Sequence, residues 1–360
     1  SDVCSSDLTN RINLIAGRFK TYKFLGEGTY GVVFLSKDML DNNWVALKKF
    51  RLRNVSQGID FNTIQEIRQL SELNHPNIVR FIGAFNDEGT LFIATEFHPV
   101  GLDALISSVS GSPLLSFAQI KCCMRMLLDG IKYLHENWIL HRDLKPSNIL
   151  MSSGGILKLI DFGLSTDYPS DTGQMLSQVA TIWYRAPELC FGAKYYGPAI
   201  DMWSVGCIFA EMFLGKPFLQ SANLTDMGQL QTIADVFGPI VWQGCDKLPG
   251  FIKVEPKVPI LSLSERFPAL RNQPDALDLL AKLFILDPSK RISADEALNH
   301  PYFQSYPPAS LPSELPVATG TPKGISTILA QTGKSAITSV ITNRVKYAPG
   351  TALNRMPDRK

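Results

Sequence analysis

The sequence predicts an α+β fold in two lobes, a small β-rich N-terminal lobe with one helix and a larger, mainly helical C-terminal lobe. Three observations predict it. Residues 19–50 and 77–97 hold short runs rich in β-branched and aromatic residues, separated by turn residues. Between them, residues 60–73 switch to apolar positions every three residues, the mark of a helix with one buried face. Beyond Phe97 the long segments are helical in period.

In order, FKTYKFLG leads to a glycine-rich turn, and VVFLSK and WVALKKF follow as second and third strands. DFNTIQEIRQLSEL places Phe61, Ile64, Ile67, Leu70 and Leu73 on one helix face. NIVRFIGAF and LFIATEF are two further strands. FAQIKCCMRMLLDGIKYLH is a long amphipathic helix whose stripe is Phe117, Ile120, Met124, Leu127, Ile131 and Leu134. Helices are expected near 199–215, 224–237, 274–285 and 293–298. The boundaries are a small lobe over 19–97 and a large lobe over 98–305. Prolines make 306–322 linker-like, and a basic tail ends at 360. The opening SDVCSSDL lacks an initiating methionine and reads as a fragment or artefact, so residues 1–18 are expected to stand outside the fold.

Forty-five per cent hydrophobic and 19% charged residues over 360 positions suit a globular chain with real cores. The net charge of +2 argues for no specific nucleic-acid partner. It is uneven, with +6 in residues 321–360 and −4 in the rest. None of the six cysteines forms a C-x-x-C pair, and several lie in apolar runs, so buried reduced thiols are expected rather than disulfides or zinc. The most apolar helix, 199–215, is interrupted by Asp201 and Glu211, so a buried core helix is expected and no membrane partner. Nucleus, cytoplasm or both is the expected location.

GEGTYGVVF (26–34) sets Gly26, Gly28 and Gly31 between two strands. Backbone N–H groups approach phosphates closely where no Cβ intervenes, although the run in isolation reads as a tight hairpin. A strand rather than a helix after the glycines argues against a dinucleotide site. VALKK places the cation of Lys48 on the next strand, and Glu66 on the following helix is a partner for it. HRDLKPSN supplies Asp143, Lys145 and Asn148, and DFG after the strand ILKLI supplies Asp161. Cations suit phosphates and the oxygens of Asn148 and Asp161 suit Mg²⁺, which leaves Asp143 to accept a hydroxyl proton.

These motifs in this order resemble the signature set of protein kinases over about residues 19–303. APE at 186–188, DMWSVGC at 201–207 and DPSKRISADEALNHPYF at 287–303 extend the likeness, with Arg291 placed to pair with Glu188. Lys145 is the serine/threonine form. WYRAPE and the long insert between Gly215 and Asn272 are similar to the CMGC group. VALKKF and NTIQEIRQLSELNHPNIV resemble the cyclin-dependent kinases. QVATIWYRAPELCFGAKYYG and LPSELP resemble the CDK-activating kinases and the cell cycle-related kinase. The resemblance implies a Mg²⁺·ATP-dependent enzyme acting on protein substrates, other kinases among the expected ones. It implies Asp143 and Lys145 as catalytic residues and Asn148 and Asp161 as metal ligands. The implied nucleotide site is lined by Gly26, Glu27, Gly28, Gly31, Val33, Ala46, Lys48, Glu66, Thr95, Glu96, His98 and Leu150. Thr181 supports Lys145 and Asp143, and Arg185 lies near the substrate and favours a following proline. A kinase-fold scaffold without activity is the competing reading, although Lys48, Asp143 and Asp161 are all present.

The chain also departs from the pattern. Leu176 stands where these kinases carry a phosphorylated threonine, five residues before Thr181. Of the three arginines that grip that phosphate, only Arg142 is present; Gln65 and Thr166 replace the others. The expectation is an activation segment that orders without phosphorylation, with Leu176 packed where the phosphate would sit; the alternative is that Ser170, Thr172 or Ser177 takes over. Thr95, at the gatekeeper position, replaces the usual phenylalanine and predicts unusual sensitivity to bulky ATP-site inhibitors. Gly101 stands where a carboxylate often contacts ribose. Thr29 and Tyr30 match inhibitory phosphosites or merely shape the loop. FNTIQEI replaces PSTAIRE, so a cyclin, an atypical subunit or no activating partner are all open.

Overall fold

Glycine and polar turns cut residues 19–50 into β1 (Phe19–Gly28), β2 (Gly31–Asp38) and β3 (Trp44–Phe50). With β4 (Phe81–Asp87) and β5 (Thr90–Glu96) they form an antiparallel sheet ordered β1-β2-β3-β5-β4. These coordinates are a computed structural model that describes residues 14–28, 31–50, 61–107, 115–169 and 173–316. Alternation puts Phe19, Val45, Leu47, Phe92 and Ala94 on one face, where they form a small core of their own. On the other face α1 (Phe61–Glu72) buries Leu70 and Glu66. The period-three reading of 60–73 therefore marks a helix lying against β4, although Ile64, expected on its buried face, is 51% exposed.

Below the sheet, β6 (Val100–Gly101) leads into α2 (Leu102–Ile106). A capping box between Ser116 and Gln119 then starts α3 (Phe117–Glu136), satisfying two helix-end donors reciprocally. The α3 stripe buries Ile120, Met124, Leu127, Ile131 and Leu134 almost completely. Short strands follow: β7 (Ile139–Leu140), β8 (Ile149–Met151), β9 (Leu157–Leu159) and β10 (Thr166–Asp167). β6, β8 and β9 make one small sheet, and β7 pairs with β10. Next come α4 (Pro187–Cys190), α5 (Ala199–Leu214), α6 (Asp226–Phe237), α7 (Leu263–Arg266), α8 (Pro274–Leu283) and α9 (Ala294–Leu298). α5 is buried along almost its whole length and stops at Gly215, whose φ of 70° is open to glycine at little strain. Around it Trp203 meets Phe237 and Phe284 edge-on. Among the described residues, no helix is long and apolar enough to cross a membrane. The five described cysteines are buried and free of disulfides.

Two boundaries need correction. Residues 14–18, expected to stand outside the fold, join it: Ile15 packs on the small core and Arg18 Nη2 meets Asp38 Oδ2 at 2.6 Å. Residues 306–316, read as linker, pack back onto α3. Lys121 Nζ donates to the carbonyls of Ser305 and Pro307, each at 2.6 Å, and Ser310 N–H donates to Ala118 O at 3.0 Å. Gln119 Nε2 reaches Glu314 O at 2.9 Å, and Leu315 is buried. Prolines here leave only a 3₁₀ turn at Pro312–Glu314 but do not prevent packing. The readings of residues 1–13, Thr29, Tyr30, Ser170, Thr172 and the basic tail lie outside the described residues.

Candidate active site

Sheet register places the upper half of the site. Lys48 lies opposite Val33 on β2 and Ile93 on β5, and Ala46 lies opposite Leu35 and Thr95. From β3, Lys48 Nζ reaches both Glu66 oxygens on α1, at 2.6 and 2.9 Å, and Asp161 Oδ1 at 3.5 Å. Desolvation opposes the charge on Lys48, but Glu66 and Asp161 more than offset it and hold the ammonium above its ordinary range. Desolvation likewise opposes charge on Asp161, yet Lys48 and Lys145 keep its carboxyl below the usual range. Gly26 and Gly28 sit in the β1–β2 hairpin opposite Val33 and Gly31, with Glu27 opposite Val32. Gly31 has a reason of its own, because a Cβ there would run into the Lys49 carbonyl of β3.

At the end of β5, the Glu96 carboxylate is engaged within the protein. It accepts from Arg80 N–H and Lys158 Nζ, both at 2.8 Å, and His98 Nε2 lies 3.4 Å away. Burial would raise its carboxyl, but His98, Lys158 and Arg80 hold it at about 2. Leu150 pairs with Gly101 across β8 and β6, which puts both on one face. The Asp103 carboxylate fills the space that a side chain at position 101 would take.

The lower half hangs on a loop held from beneath. Asp201, at the start of α5, accepts the backbone N–H groups of His141 (3.0 Å) and Arg142 (2.9 Å) and also faces His135 Nε2 at 3.0 Å. Arg142 takes the left-handed φ of 64° that this clamp requires. Asp143 is fixed on every side. Lys145 Nζ donates to its Oδ2 at 2.6 Å, and Thr181 N–H and Oγ1 donate to its Oδ1 at 3.0 and 2.9 Å. Asn148 Nδ2 donates to its carbonyl and to Oδ2 at 2.9 and 3.0 Å. Both amide protons of Asn148 being spent there, its Oδ1 turns to the opposite side, as a hard-cation ligand must. Asp161, with φ of 65°, presents a half-exposed carboxylate. Among the described residues no three His, Cys, Asp or Glu side chains converge on a metal site. Two oxygen ligands fit Mg²⁺, which keeps waters and phosphate oxygens as its remaining ligands.

Sequence reasoning missed Asp201, Tyr196 and Asp226. A carboxylate inside an otherwise apolar helix was the available signal for Asp201. Arg185 is 7% exposed and donates to the carbonyls of Val179 and Ala180, both at 2.8 Å, and to Asp226 Oδ1 at 2.6 Å. It shapes the loop ahead of it rather than standing free for a ligand.

The expectation for Leu176 is wrong in its detail. Its side chain is 73% exposed rather than packed. Its backbone is held instead: Tyr196 OH donates to Leu176 O at 2.5 Å, and Arg142 Nη1 donates to Tyr196 OH at 3.1 Å. The replacements of the two lost arginines meet each other, Gln65 Nε2 to Thr166 Oγ1 at 3.4 Å. Gln69 and Arg68 of α1 both bind Asp167, and Ser165 binds Gln69.

Comparison with known proteins agrees with this geometry. The protein kinase domain family matches residues 19–303. The chain is 42% identical over 318 residues to cyclin-dependent kinase D-1 of Oryza sativa subsp. indica, covering 88% of this chain and 73% of the relative. It is 42% identical over 307 residues to cyclin-dependent kinase 7 of Dictyostelium discoideum, covering 83% of each. A solved chain from the CAK complex of Chaetomium thermophilum, bound to ATP-gamma-S, superposes with a TM-score of 0.74 at 36% identity, over 83% of this chain and 94% of that one. With Lys48, Glu66, Asp143, Asn148 and Asp161 assembled around one ATP cleft, the scaffold reading falls away, and the chain belongs to the protein kinases as a serine/threonine kinase of the cyclin-dependent-kinase-like group.

Proposed function

We propose that this kinase phosphorylates serine or threonine in the activation segments of other kinases, and that its own segment works without phosphorylation at position 176. The observation that carries the reading is the joint replacement of phosphoacceptor and socket: Leu176 is exposed, and Gln65 and Thr166 bond to each other where two cations would grip a phosphate. An enzyme with no such switch needs no upstream kinase, which suits a place at the head of a cascade. The ion pair between Lys48 and Glu66 is closed, the arrangement that phosphoryl transfer needs.

In this mechanism Asp143 accepts the proton of the attacking hydroxyl, its oxygens aimed by Thr181, Asn148 and Lys145. Lys145 stands beside Asp143 and offsets negative charge growing on the transferring phosphoryl group. Lys48, oriented by Glu66, binds nucleotide phosphates. Asn148 and Asp161 would hold Mg²⁺, which would neutralise phosphate charge.

The test uses protein made in bacteria, treated with phosphatase and assayed without a cyclin on activation-segment peptides, with and without a proline after the acceptor. Transfer is expected, and Asp143→Asn is expected to lower kcat by about a thousandfold while leaving the fold intact. Loss of transfer on phosphatase treatment would overturn phosphate independence. Equal incorporation by Asp143→Asn would overturn the catalytic assignment.

A further inference from the structure

We propose that Tyr196 is a positioning residue whose hydroxyl stands on Arg142 in place of an activating phosphate and holds the activation segment at Leu176. The inference rests on the reading that the segment works unphosphorylated. It supplies the device.

The contacts form one relay. Arg142 adjoins Asp143, and its backbone is clamped by Asp201. Its Nε donates to Leu164 O at 2.6 Å, which ties it to the start of the activation segment. Its Nη1 donates to the Tyr196 hydroxyl at 3.1 Å, and that hydroxyl in turn donates a hydrogen bond to Leu176 O at 2.5 Å. One phenol thus joins the catalytic loop to the backbone of the residue that stands where the phosphoacceptor would. A second tie lies beside it, Met175 N–H to Lys194 O at 2.8 Å, so both ends of the 194–196 stretch grip residues 175–176.

Charge explains why a phenol suffices. A dianionic phosphate needs several cations to offset its desolvation, and this chain has one arginine at the position. A neutral hydroxyl needs one donor and one acceptor, and here it has one of each. Burial raises the phenol above its ordinary range, so it remains the protonated donor that the relay requires. Tyr195 next to it is 70% exposed and serves as an internal control.

The experiment compares the full chain with Tyr196→Phe and Tyr195→Phe, all phosphatase-treated, by hydrogen exchange across residues 173–181 and by steady-state kinetics. Tyr196→Phe keeps the ring and its packing. It is expected to speed exchange in that segment, to lower kcat about tenfold and to leave the KM for ATP unchanged; Tyr195→Phe is expected to match wild type in all three. A merely structural role for Tyr196 would lower the melting temperature without this split between kcat and KM. Unchanged exchange in Tyr196→Phe overturns the tether whether or not the wild type is active. Faster exchange with unchanged kcat overturns its positioning role. Inactive wild-type protein together with faster exchange in the variant supports the tether and overturns phosphate independence.

Discussion

Two acids of one helix show how far local partners decide a charge. Asp201 and Glu211 are both buried in α5. Desolvation would raise both carboxyls, but Asp201 accepts two backbone N–H groups and faces His135, and it is held below its ordinary range. Glu211 has one neutral donor, Tyr184 OH at 2.6 Å, and burial pushes it up to about 7. The folded state therefore binds a proton at Glu211 that the unfolded chain has released between its ordinary pKa of 4.5 and about 7. Stability contributed by this site is full below that window and falls as pH rises through it, by up to about 3 kcal/mol. Glu211→Gln keeps an acceptor for Tyr184 and removes the titration. It is expected to raise the melting temperature at pH 8 while changing little at pH 4.5, as thermal denaturation at the two pH values would show. An equal shift at both would locate the effect elsewhere.

Among the elements, those with a period were legible and those without were not. Alternation in 19–50 and period three in 60–73 marked β1 to β3 and α1 because each buries one face. The strands β6, β7, β8 and β10 are two or three residues long and complete no period, so only tertiary pairing reveals them. The cleft residues were readable because their spacing follows chemistry. Tyr196 was not, because it reaches Leu176 through the fold across 20 positions of chain. Leu176 misled because its apolar side chain suggested packing, whereas its carbonyl makes the contact. The place of Lys121 was not legible either. A lysine in an amphipathic helix reads as solvated, yet this one is 1% exposed, with its ammonium on the Ser305 and Pro307 carbonyls and 4.8 Å from the Tyr302 ring centroid. Lys121→Met fills the same channel without a donor. It is expected to cost about 1–3 kcal/mol and to speed hydrogen exchange over residues 305–316 while sparing the ATP cleft. Unaltered exchange in that strap would mean that Ser310 and Gln119 hold it unaided.

At the scale of the molecule, the region that presents Thr181 and Arg185 must be fastened to the helical lobe, and one buried ion pair does this. Arg291 donates from Nη1 and Nη2 to the two oxygens of Glu188, at 2.8 and 3.0 Å. It also donates to the carbonyls of Ala199 and Ile285 and lies over the Trp203 ring at 5.0 Å. One arginine thereby joins α4, the start of α5 and the segment after α8. Both side chains are 4% exposed or less, so neither charge can fall back on water when its partner is removed. Arg291→Met strands a buried carboxylate, and Glu188→Gln strands a buried guanidinium; each is expected to cost about 3–5 kcal/mol. For a chain of this size that lowers the melting temperature by roughly 4–8 °C. The two losses are not expected to add, because the double variant leaves no unpaired charge at the joint. A double-mutant cycle read by thermal denaturation should place the double variant well above the sum of the singles. Strict additivity would mean that Arg291 works through the carbonyls of Ala199 and Ile285 and the face of Trp203, and that its pairing with Glu188 contributes nothing to holding the substrate side of the site in place.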